Sequence, residues 1–357
     1  MKRTVLLMSA LLAIASVGFA GNINKAEQKA LISFFNQTAV DGSSNGSALG
    51  YTPNNIAGMP GLKIVNGHVT EIDWQNKKLS GTINLSNFPA LEKVNVSHNK
   101  ITAMTVKNNP SLVELNASHN RIAEFDVEGC PQLQTLSLNR NRIADLNLAG
   151  IPLIKKLNIS GNSFEELNIA NANNLESLNC MGNRLQHLEV VGCQSLKNLY
   201  AGFNELTAIE LGGLVKLQNL NLNSNRIQKL YIQNLPSLVT LFCSDNHMTG
   251  LKVTGCKAIN EIWAPYNDLT GFEVSDDAQT LAYVNVEWND LTTLDLSGLN
   301  YLQRVNASNN QLLTVDVTND PMLTTLILTN NEMLTDVRTQ MCPMLRHVIG
   351  YNEWSPF

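Results

Sequence analysis

One asparagine returns at nearly constant spacing through most of this 357-residue chain. From Asn99 to Asn267 it recurs every 21 residues, a single 22-residue step leads to Asn289, and the 21-residue spacing then resumes. The full column is Asn99, Asn120, Asn141, Asn162, Asn183, Asn204, Asn225, Asn246, Asn267, Asn289, Asn310, Asn331 and Asn352. Self-similarity at a fixed period of roughly 20–50 residues is typical of chains that stack one small unit many times.

An apolar pattern surrounds each asparagine and is clearest in residues 133–153. Leu133, Leu136, Leu138, Asn141 and Ile143 spell L-x-x-L-x-L-x-x-N-x-L. Alternation with polar residues predicts a strand that buries one face. One unit cannot bury that face alone, so we expect the strands of neighbouring units to stack as a parallel sheet over a shared core.

The asparagine column is predicted to be structural. It falls where the chain must turn out of the strand, and an amide both donates and accepts hydrogen bonds. We expect each side chain to satisfy backbone groups of the turn in its own repeat and in the next one, because buried backbone groups without partners are costly.

The motif resembles that of leucine-rich repeat proteins, and the resemblance covers residues 69–352. The 21-residue length and the absence of a helical signal are similar to bacterial exported repeat proteins, including the internalin group. The resemblance implies a leucine-rich repeat solenoid, a right-handed superhelix or horseshoe. Its concave face is a parallel β-sheet, and its convex face holds extended segments and turns. It also implies a non-catalytic binding scaffold.

Residues 1–20 have the form of a secretory signal peptide. Lys2 and Arg3 precede an apolar run, and Gly18-Phe19-Ala20 gives a small-residue cleavage site. The apolar run is short for a membrane anchor. We therefore expect an exported protein, at the cell surface, in the periplasm or outside the cell, without membrane insertion.

Residues 21–68 lack the repeat and are predicted to form an N-terminal cap. Residues 25–37 place Leu31, Ile32, Phe34 and Phe35 on one side of an amphipathic helix. This segment resembles the small helical cap of plant-type repeat proteins, although the cysteine pair of that cap is missing. A cap is expected because the first repeat would otherwise expose its core.

The repeats are predicted to span residues 69–343, and residues 344–357 to form a last partial repeat with a C-terminal cap. Either Met344 or Leu345 begins that last unit. Trp354 and Phe357 are expected to fold over the open end, unless another molecule covers it.

The six cysteines are predicted to be free thiols. Cys130, Cys193 and Cys256 share one repeat position but lie three repeats apart, about 14 Å at strand spacing. Bridged cysteines have Cα atoms within about 7 Å. Cys180 and Cys243 share the inward strand position, where cysteine serves as a small core residue. No spacing suggests zinc.

Aromatic and acidic residues gather in the later repeats. When the first leucine of a repeat is position one, positions three, five and seven are expected to face outward and position eight to enter the turn. Core positions are filled by aliphatic residues and cysteine, so burial does not explain these aromatics, and exposed Trp and Tyr often mark binding surfaces. The predicted ligand-binding residues are Tyr200, Phe203, Phe242, Trp263, Tyr266, Tyr283, Trp288, Glu261 and Glu287.

Three functions remain open for this surface. It could recognise a protein or peptide, bind carbohydrate on stacked rings, or associate with another copy through the aromatic residues or the C-terminal edge. The ordinary alternatives are cross-strand aromatic packing and cover by the C-terminal tail. The oligomeric state stays undetermined by the sequence.

Other classes of function have little support. The chain lacks the common hydrolase, metalloprotease, P-loop and dinucleotide motifs, so no cofactor is expected. Removal of the signal peptide changes the net charge from −5 to −7, which disfavours nucleic acid as a general partner. His98 and His119 share a turn position in adjacent repeats, and we predict surface histidines there instead of a metal site. Basic residues also follow the early asparagines, as at Lys100, Arg121 and Arg142.

Overall fold

The computed structural model describes residues 23–53 and 56–351. The predicted signal peptide, at residues 1–20, lies outside the described residues, as do Asn352, Trp354 and Phe357. The described chain is a solenoid of about 13 turns with few helices, which confirms the predicted leucine-rich repeat fold class.

One 15-stranded sheet, the main sheet, runs the length of the solenoid. Its first two strands pair antiparallel, and the remaining neighbours pair parallel. In spatial order the strands are β1 (Leu62–Val65), β2 (His68–Asp73), β4 (Lys93–Asn95), β6 (Glu114–Asn116), β8 (Thr135–Ser137), β9 (Lys156–Asn158), β11 (Ser177–Asn179), β13 (Asn198–Tyr200), β14 (Asn219–Asn221), β16 (Thr240–Phe242), β18 (Glu261–Trp263), β20 (Tyr283–Asn285), β22 (Arg304–Asn306), β24 (Thr325–Ile327) and β26 (His347–Ile349).

Short parallel sheets, the outer sheets, form on the return side of the turns. They pair β3 (Ser80–Asn84), β5 (Lys100–Lys107) and β7 (Glu124–Glu128); β10 (Glu166–Asn168) and β12 (His187–Glu189); β15 (Leu230–Gln233), β17 (Gly250–Thr254) and β19 (Gly271–Val274); and β21 (Thr293–Asp295), β23 (Thr314–Asp316) and β25 (Asp336–Arg338). The return side is thus extended where it is regular, as the short repeat predicts.

The register of the main sheet places equivalent residues side by side. Leu178, for example, pairs with Leu157 on one side and with Leu199 on the other. All three leucines are buried. The period of two along each strand and the period of 21 along the chain therefore produce continuous columns of apolar side chains, which form one core shared by all repeats.

The asparagine column ties each repeat to the one before it. The Asn225 side chain accepts a hydrogen bond from the Leu206 backbone N–H (3.0 Å) and donates to the carbonyl oxygens of Ala201 (3.1 Å) and Leu222 (3.0 Å). Asn183, Asn246 and Asn310 repeat this pattern. The structural role is as predicted, but the second partner lies in the preceding repeat. The prediction of a bond to the next repeat was wrong, because the amide points back over the turn already formed.

The segment predicted to be a cap is held by packing and by one buried carboxylate. Helix α1 (Lys25–Phe35) begins after Asn24, whose side chain accepts from the first backbone N–H groups, and a second helix, α2 (Asn45–Ala48), and a short 3₁₀ helix (Ile56–Gly58) follow. Phe34 and Phe35 pack against buried Trp74, with ring centroids 6.1 and 5.7 Å away.

The Glu27 side chain connects this helix to the main sheet. It is almost fully buried, accepts a bond from the Val69 N–H (2.8 Å) and lies 2.6 Å from Nδ1 of His68. These contacts join α1 to β2.

The cysteines and the last repeat follow from the same stacking. All six cysteines are free, as predicted, and burial raises the pKa of Cys180 and of Cys243 to about 12. Leu345 is buried whereas Met344 is 44% exposed, so Leu345 begins the last unit.

Among the described helices, none is long and apolar enough to cross a bilayer.

Asp320 is buried and occupies the same repeat position as Asn109, on the return side of the core. Asn109 accepts from the Phe88 N–H (2.8 Å) and donates to the Leu85 carbonyl (2.7 Å). Asp320 accepts from the Leu299 N–H (2.7 Å), but its second oxygen is buried without a hydrogen-bond partner in the described chain. Burial raises the pKa of Asp320 to about 7, with smaller contributions from the carboxylates of Asp316 and Asp295.

We expect Asp320→Asn to stabilise the protein increasingly as pH rises. The pKa of this carboxyl is 3.8 in the unfolded chain and about 7 in the folded one. The parent protein therefore loses stability as the pH rises from about 4 to about 7, and its stability then stays constant at higher pH. The loss is on the order of a few kcal/mol. Urea unfolding of both proteins at pH 4 and pH 8 measures it. Equal stabilities at pH 8 would contradict the assignment, and Asn109→Asp provides the reverse control.

Candidate functional site

Position five of the repeats forms a row across the main sheet. Register partners along it are Tyr200, Asn221, Phe242, Trp263 and Asn285. Phe242 and Trp263 are adjacent, with ring centroids 6.3 Å apart and planes 29° apart. The Trp263 indole N–H also donates to a carboxylate oxygen of Glu261 (3.3 Å). The centre of the predicted surface is therefore one continuous patch of rings with an attached carboxylate.

Position eight forms a second row, in the turns beside the sheet. Phe203, Tyr266 and Trp288 each precede a ladder asparagine and are exposed. Tyr266 and Trp288 stack nearly parallel, with centroids 5.9 Å apart and an interplanar angle of 11°. We call the nine predicted ligand-binding residues together the aromatic face.

The turn position that holds these aromatics requires left-handed backbone. Phe203, Tyr266 and Trp288 have φ values of 56°, 55° and 53°, and the glycines Gly161 and Gly182 occupy the same position in other repeats. For an L-residue this conformation costs roughly 1 kcal/mol or more, whereas glycine adopts it freely. Bulky rings that are exposed and strained contribute little to the fold, which favours a functional reason for them.

In several repeats position five is an asparagine that forms hydrogen bonds within its own turn, and the aromatic residues replace it in others. Asn116 accepts hydrogen bonds from both the backbone N–H and the hydroxyl of Ser118, at 3.1 and 2.7 Å, and Asn306 does the same with Ser308. These position-seven serines are buried, although the sequence predicted an outward position. The recurring Asn-x-Ser triplets are thus local turns of the repeat. Tyr200, Phe242 and Trp263 have rings where this bond would form.

Glu287 belongs to a polar network at the C-terminal end of the aromatic face. Its carboxylate accepts from the side-chain amides of Asn285 (3.1 Å) and Asn306 (2.9 Å). Further acidic side chains lie in the neighbouring turns, where Asp268 lies 3.8 Å from Nδ1 of His247 and Asp290 accepts from Gln311 (2.7 Å). The rings are therefore bordered by negative charge on the turn side.

A depression of about 420 Å³ lies where the aromatic face meets the following repeat. Trp263 and Tyr283 line it, together with Asn285, Arg304 and Asn306. Sequence reasoning missed the last three. Arg304 was detectable in principle, because it occupies position three of the repeat after Tyr283 and is its register partner.

Tyr200 and Phe203 lie apart from the other rings. In the sheet, Asn221 separates Tyr200 from Phe242, and in the turns Ser224 and Asp245 separate Phe203 from Tyr266. The structure therefore brings seven of the nine predicted residues into one surface, from Phe242 to Trp288, and leaves two at its N-terminal border.

The predicted surface histidines form a pair of their own. The rings of His98 and His119 stack with centroids 4.1 Å apart and an interplanar angle of 16°. Stacked rings turn their faces, not their nitrogen lone pairs, toward each other, so no ion fits between them. Within residues 23–53 and 56–351, no group of three or more His, Cys, Asp or Glu side chains could hold a metal ion.

Comparison with known proteins agrees with this geometry. Residues 110–150 match the family model for leucine-rich repeats, in two copies. The functional domain of InlJ from Listeria monocytogenes is similar, with 27% identity over 61% of this chain and 51% of that chain, at a TM-score of 0.50. Residues 110–150 thus carry two leucine-rich repeats, and the described chain has the leucine-rich repeat fold and resembles the internalin InlJ, of which the matched part spans about half.

Two further solved structures share the fold. YopM from Yersinia enterocolitica is 23% identical over 75% of this chain and 64% of that chain, with a TM-score of 0.58. The PEPR1–AtPEP1 complex is 16% identical over 92% of this chain and 55% of that chain, with a TM-score of 0.64. No curated protein matched the chain. Leucine-rich repeat proteins commonly serve as protein-binding scaffolds and are typically non-catalytic.

We expect Phe203→Gly to leave the free energy of unfolding unchanged or to raise it by up to about 1 kcal/mol, because glycine relieves the left-handed strain. Urea unfolding measures the change. The control Phe164→Ala removes a fully buried ring and should cost about 3–5 kcal/mol. A loss above about 1 kcal/mol for Phe203→Gly would mean that the ring is kept for stability.

Proposed function

We propose that this chain is a non-catalytic recognition protein whose aromatic face binds a segment of a protein or peptide. The observation that carries the proposal is the placement of exposed rings at strained turn positions beside the sheet. Trp263, Tyr266 and Trp288 are all exposed although each could be replaced by the small polar residue of other repeats. Trp and Tyr are the residue types that dominate binding energy in protein interfaces.

The chemistry of the surface favours a basic, partly apolar segment. Lysine and arginine side chains stack on the faces of Trp and Tyr, and the neighbouring carboxylates of Glu261, Asp268 and Asp290 add charge attraction. The depression beside Trp263 offers room for one apolar or aromatic side chain of the partner. Because the sheet is long and regular, the site is formed before the ligand arrives, which reduces the ordering cost of binding.

A second candidate is carbohydrate binding on the same face. The parallel, exposed rings of Tyr266 and Trp288 support it, since a sugar ring stacks on such a platform. Self-association remains the third possibility, as β26 is the last strand of the main sheet among the described residues and strand edges invite pairing.

We also propose that the protein is exported and that cleavage follows Ala20. The support is the sequence of residues 1–20 alone, with a basic start, an apolar run and a small-residue cleavage site. Intact-mass analysis of the protein recovered outside the cytoplasm tests this proposal. A chain that begins at Gly21 agrees with it, and one that retains Met1 contradicts it.

We expect Trp263→Ala/Trp288→Ala to lose binding while the fold stays intact. Peptides are first selected from a displayed random library against the parent protein and then measured by calorimetry. The double variant should bind them at least about tenfold more weakly, because it removes two exposed rings of the kind that form binding hot spots. Tyr231→Ala is the matched control, since Tyr231 is 67% exposed but belongs to β15 of an outer sheet.

Three results would contradict the proposal. Equal binding by the parent and the double variant would remove the aromatic face from the site. A library that yields no binder, together with binding of free oligosaccharides on a glycan array, would favour the carbohydrate alternative. Concentration-dependent dimers that the double variant abolishes would favour self-association.

A further inference from the structure

Cations line the turns at the N-terminal end of the solenoid. They occupy the positions immediately before and after the first three ladder asparagines, together with the equivalent lysine of the preceding turn. We call this group the basic rim: Lys78, His98, Lys100, His119, Arg121, Arg140 and Arg142. All are exposed except His119, which is half-buried.

The chain supplies little counter-charge to the basic rim. In the part of the chain that the structure describes, no carboxylate forms an ion pair with any of the seven side chains. Two of the later cations in the same positions do have partners, as Arg226 lies 3.1 Å from Glu205 and His247 lies 3.8 Å from Asp268, whereas Arg184 forms no ion pair in the described chain. Neutralised turns therefore occur further along the solenoid, and the unpaired cations are concentrated here.

A pocket of about 320 Å³ lies at the start of the rim. Lys78, His98, Lys100 and His119 line it, and Val40 of the cap forms an apolar wall. The Val40 N–H donates to the Lys78 carbonyl (3.0 Å), so the wall is fixed to the rim. The pocket thus combines converging cations with one apolar side, and it is built by the cap and the repeats together.

The stacked imidazoles in this pocket lie mainly among cations, with Lys78 and Lys100 in the lining and Arg140 close to His119. One carboxylate is near the pocket, because hydrogen bonds from Ser43 and, to a smaller extent, the charge of Lys78 lower the pKa of Asp41, the residue after Val40. Burial, followed by the charges of His98 and Arg140, holds the pKa of His119 below its ordinary value. A bound anion would offset both charges, so protonation of the pair and anion binding support each other.

The extent of the rim indicates the kind of anion. Four successive turns span about 15 Å at strand spacing. Beyond them the same two positions carry Glu205, Asp245, Asp268 and Asp290 interspersed with Arg184, Arg226 and His247, so the row of cations is interrupted by carboxylates that would repel a long polyanion continuing along the edge. The rim therefore suits a short run of negative charge better than a nucleic acid strand.

We propose that the basic rim is a second binding site, separate from the aromatic face, that takes the carboxylates of a short acidic stretch in a polypeptide partner. The pocket between the cap and His119 holds one of these carboxylates, and the arginines of the next two turns receive the others. The rim lies on the same edge of the solenoid as the turn residues of the aromatic face, and the two sites have opposite charge, so a single partner with an acidic and a basic segment has only one orientation that satisfies both.

The test measures the fluorescence anisotropy of labelled octaglutamate on the purified protein at pH 6.0 and pH 7.5. Octaglutamine serves as the uncharged comparison peptide. Inorganic phosphate and a single-stranded oligodeoxynucleotide serve as competitors that separate the sources of negative charge. Arg121→Gln/Arg142→Gln removes two rim cations, and Arg226→Gln is the matched control, because it changes the same repeat position outside the rim.

The expected results are at least about tenfold weaker octaglutamate binding by the arginine double variant, and unchanged binding by Arg226→Gln. Parent binding should tighten from pH 7.5 to pH 6.0, and His98→Gln/His119→Gln should remove that tightening. The proposal is overturned if octaglutamate binds no better than octaglutamine, if the double variant binds like the parent, or if the oligonucleotide or phosphate competes more strongly than unlabelled octaglutamate. Because none of these variants touches the aromatic face, failure here leaves that binding site independently testable.

Discussion

Each repeat of this protein depends on an amide side chain that holds the backbone of two successive turns. An asparagine such as Asn225 satisfies one backbone N–H and two carbonyl groups that would otherwise be buried without partners. Unpaired backbone groups of this kind cost about 1–3 kcal/mol each. Because the bond reaches back to the preceding turn, every new repeat is attached in one register. The parallel sheet, the apolar columns and the turn conformation all follow from that register.

The regular ladder separates the residues that hold the fold from those that present a surface. In most repeats positions four and six are buried and position nine is an asparagine that is buried or partly buried, whereas positions three, five and eight vary. At position five an asparagine that bonds its own turn gives way to Tyr200, Phe242 and Trp263. At position eight the glycine or polar residue of other repeats gives way to Phe203, Tyr266 and Trp288, and the backbone is left-handed there throughout. Both exchanges occur in the same group of repeats.

Much of the fold could be predicted from periodicity, because one register repeated many times fixes which residues are buried. The strands, the free cysteines and the outward aromatics follow directly from it, whereas helix α1 was predicted from its own amphipathic pattern. The direction of the asparagine bond did not, since an amide in a turn can reach either neighbour. The choice between Met344 and Leu345 also required packing, as both are apolar and adjacent. The Asn–Ser turns that bury position seven depend on local hydrogen bonds that a binary pattern does not encode.

The candidate site was less predictable than the fold. Sequence spacing located the rings but not their pairing, in which Phe242 contacts Trp263 and Tyr266 contacts Trp288. Arg304 and Asn306 enter the site only because the next repeat lies beside Trp263. The stack of His98 on His119 likewise arises from two turns a full repeat apart in sequence. Contacts between repeats, unlike burial within a repeat, require the actual twist and side-chain rotamers.

The most direct test of the ladder is the unfolding free energy of Asn225→Ala, measured by urea denaturation beside Gln228→Ala. Gln228 is an exposed amide in the same repeat, so it controls for the loss of an amide as such. We expect the free energy of unfolding to fall by about 3 kcal/mol in Asn225→Ala, because three backbone groups are left without partners, and to change very little in Gln228→Ala. Equal, small losses for both variants would show that apolar stacking alone sets the register and would contradict the central role of the asparagine column.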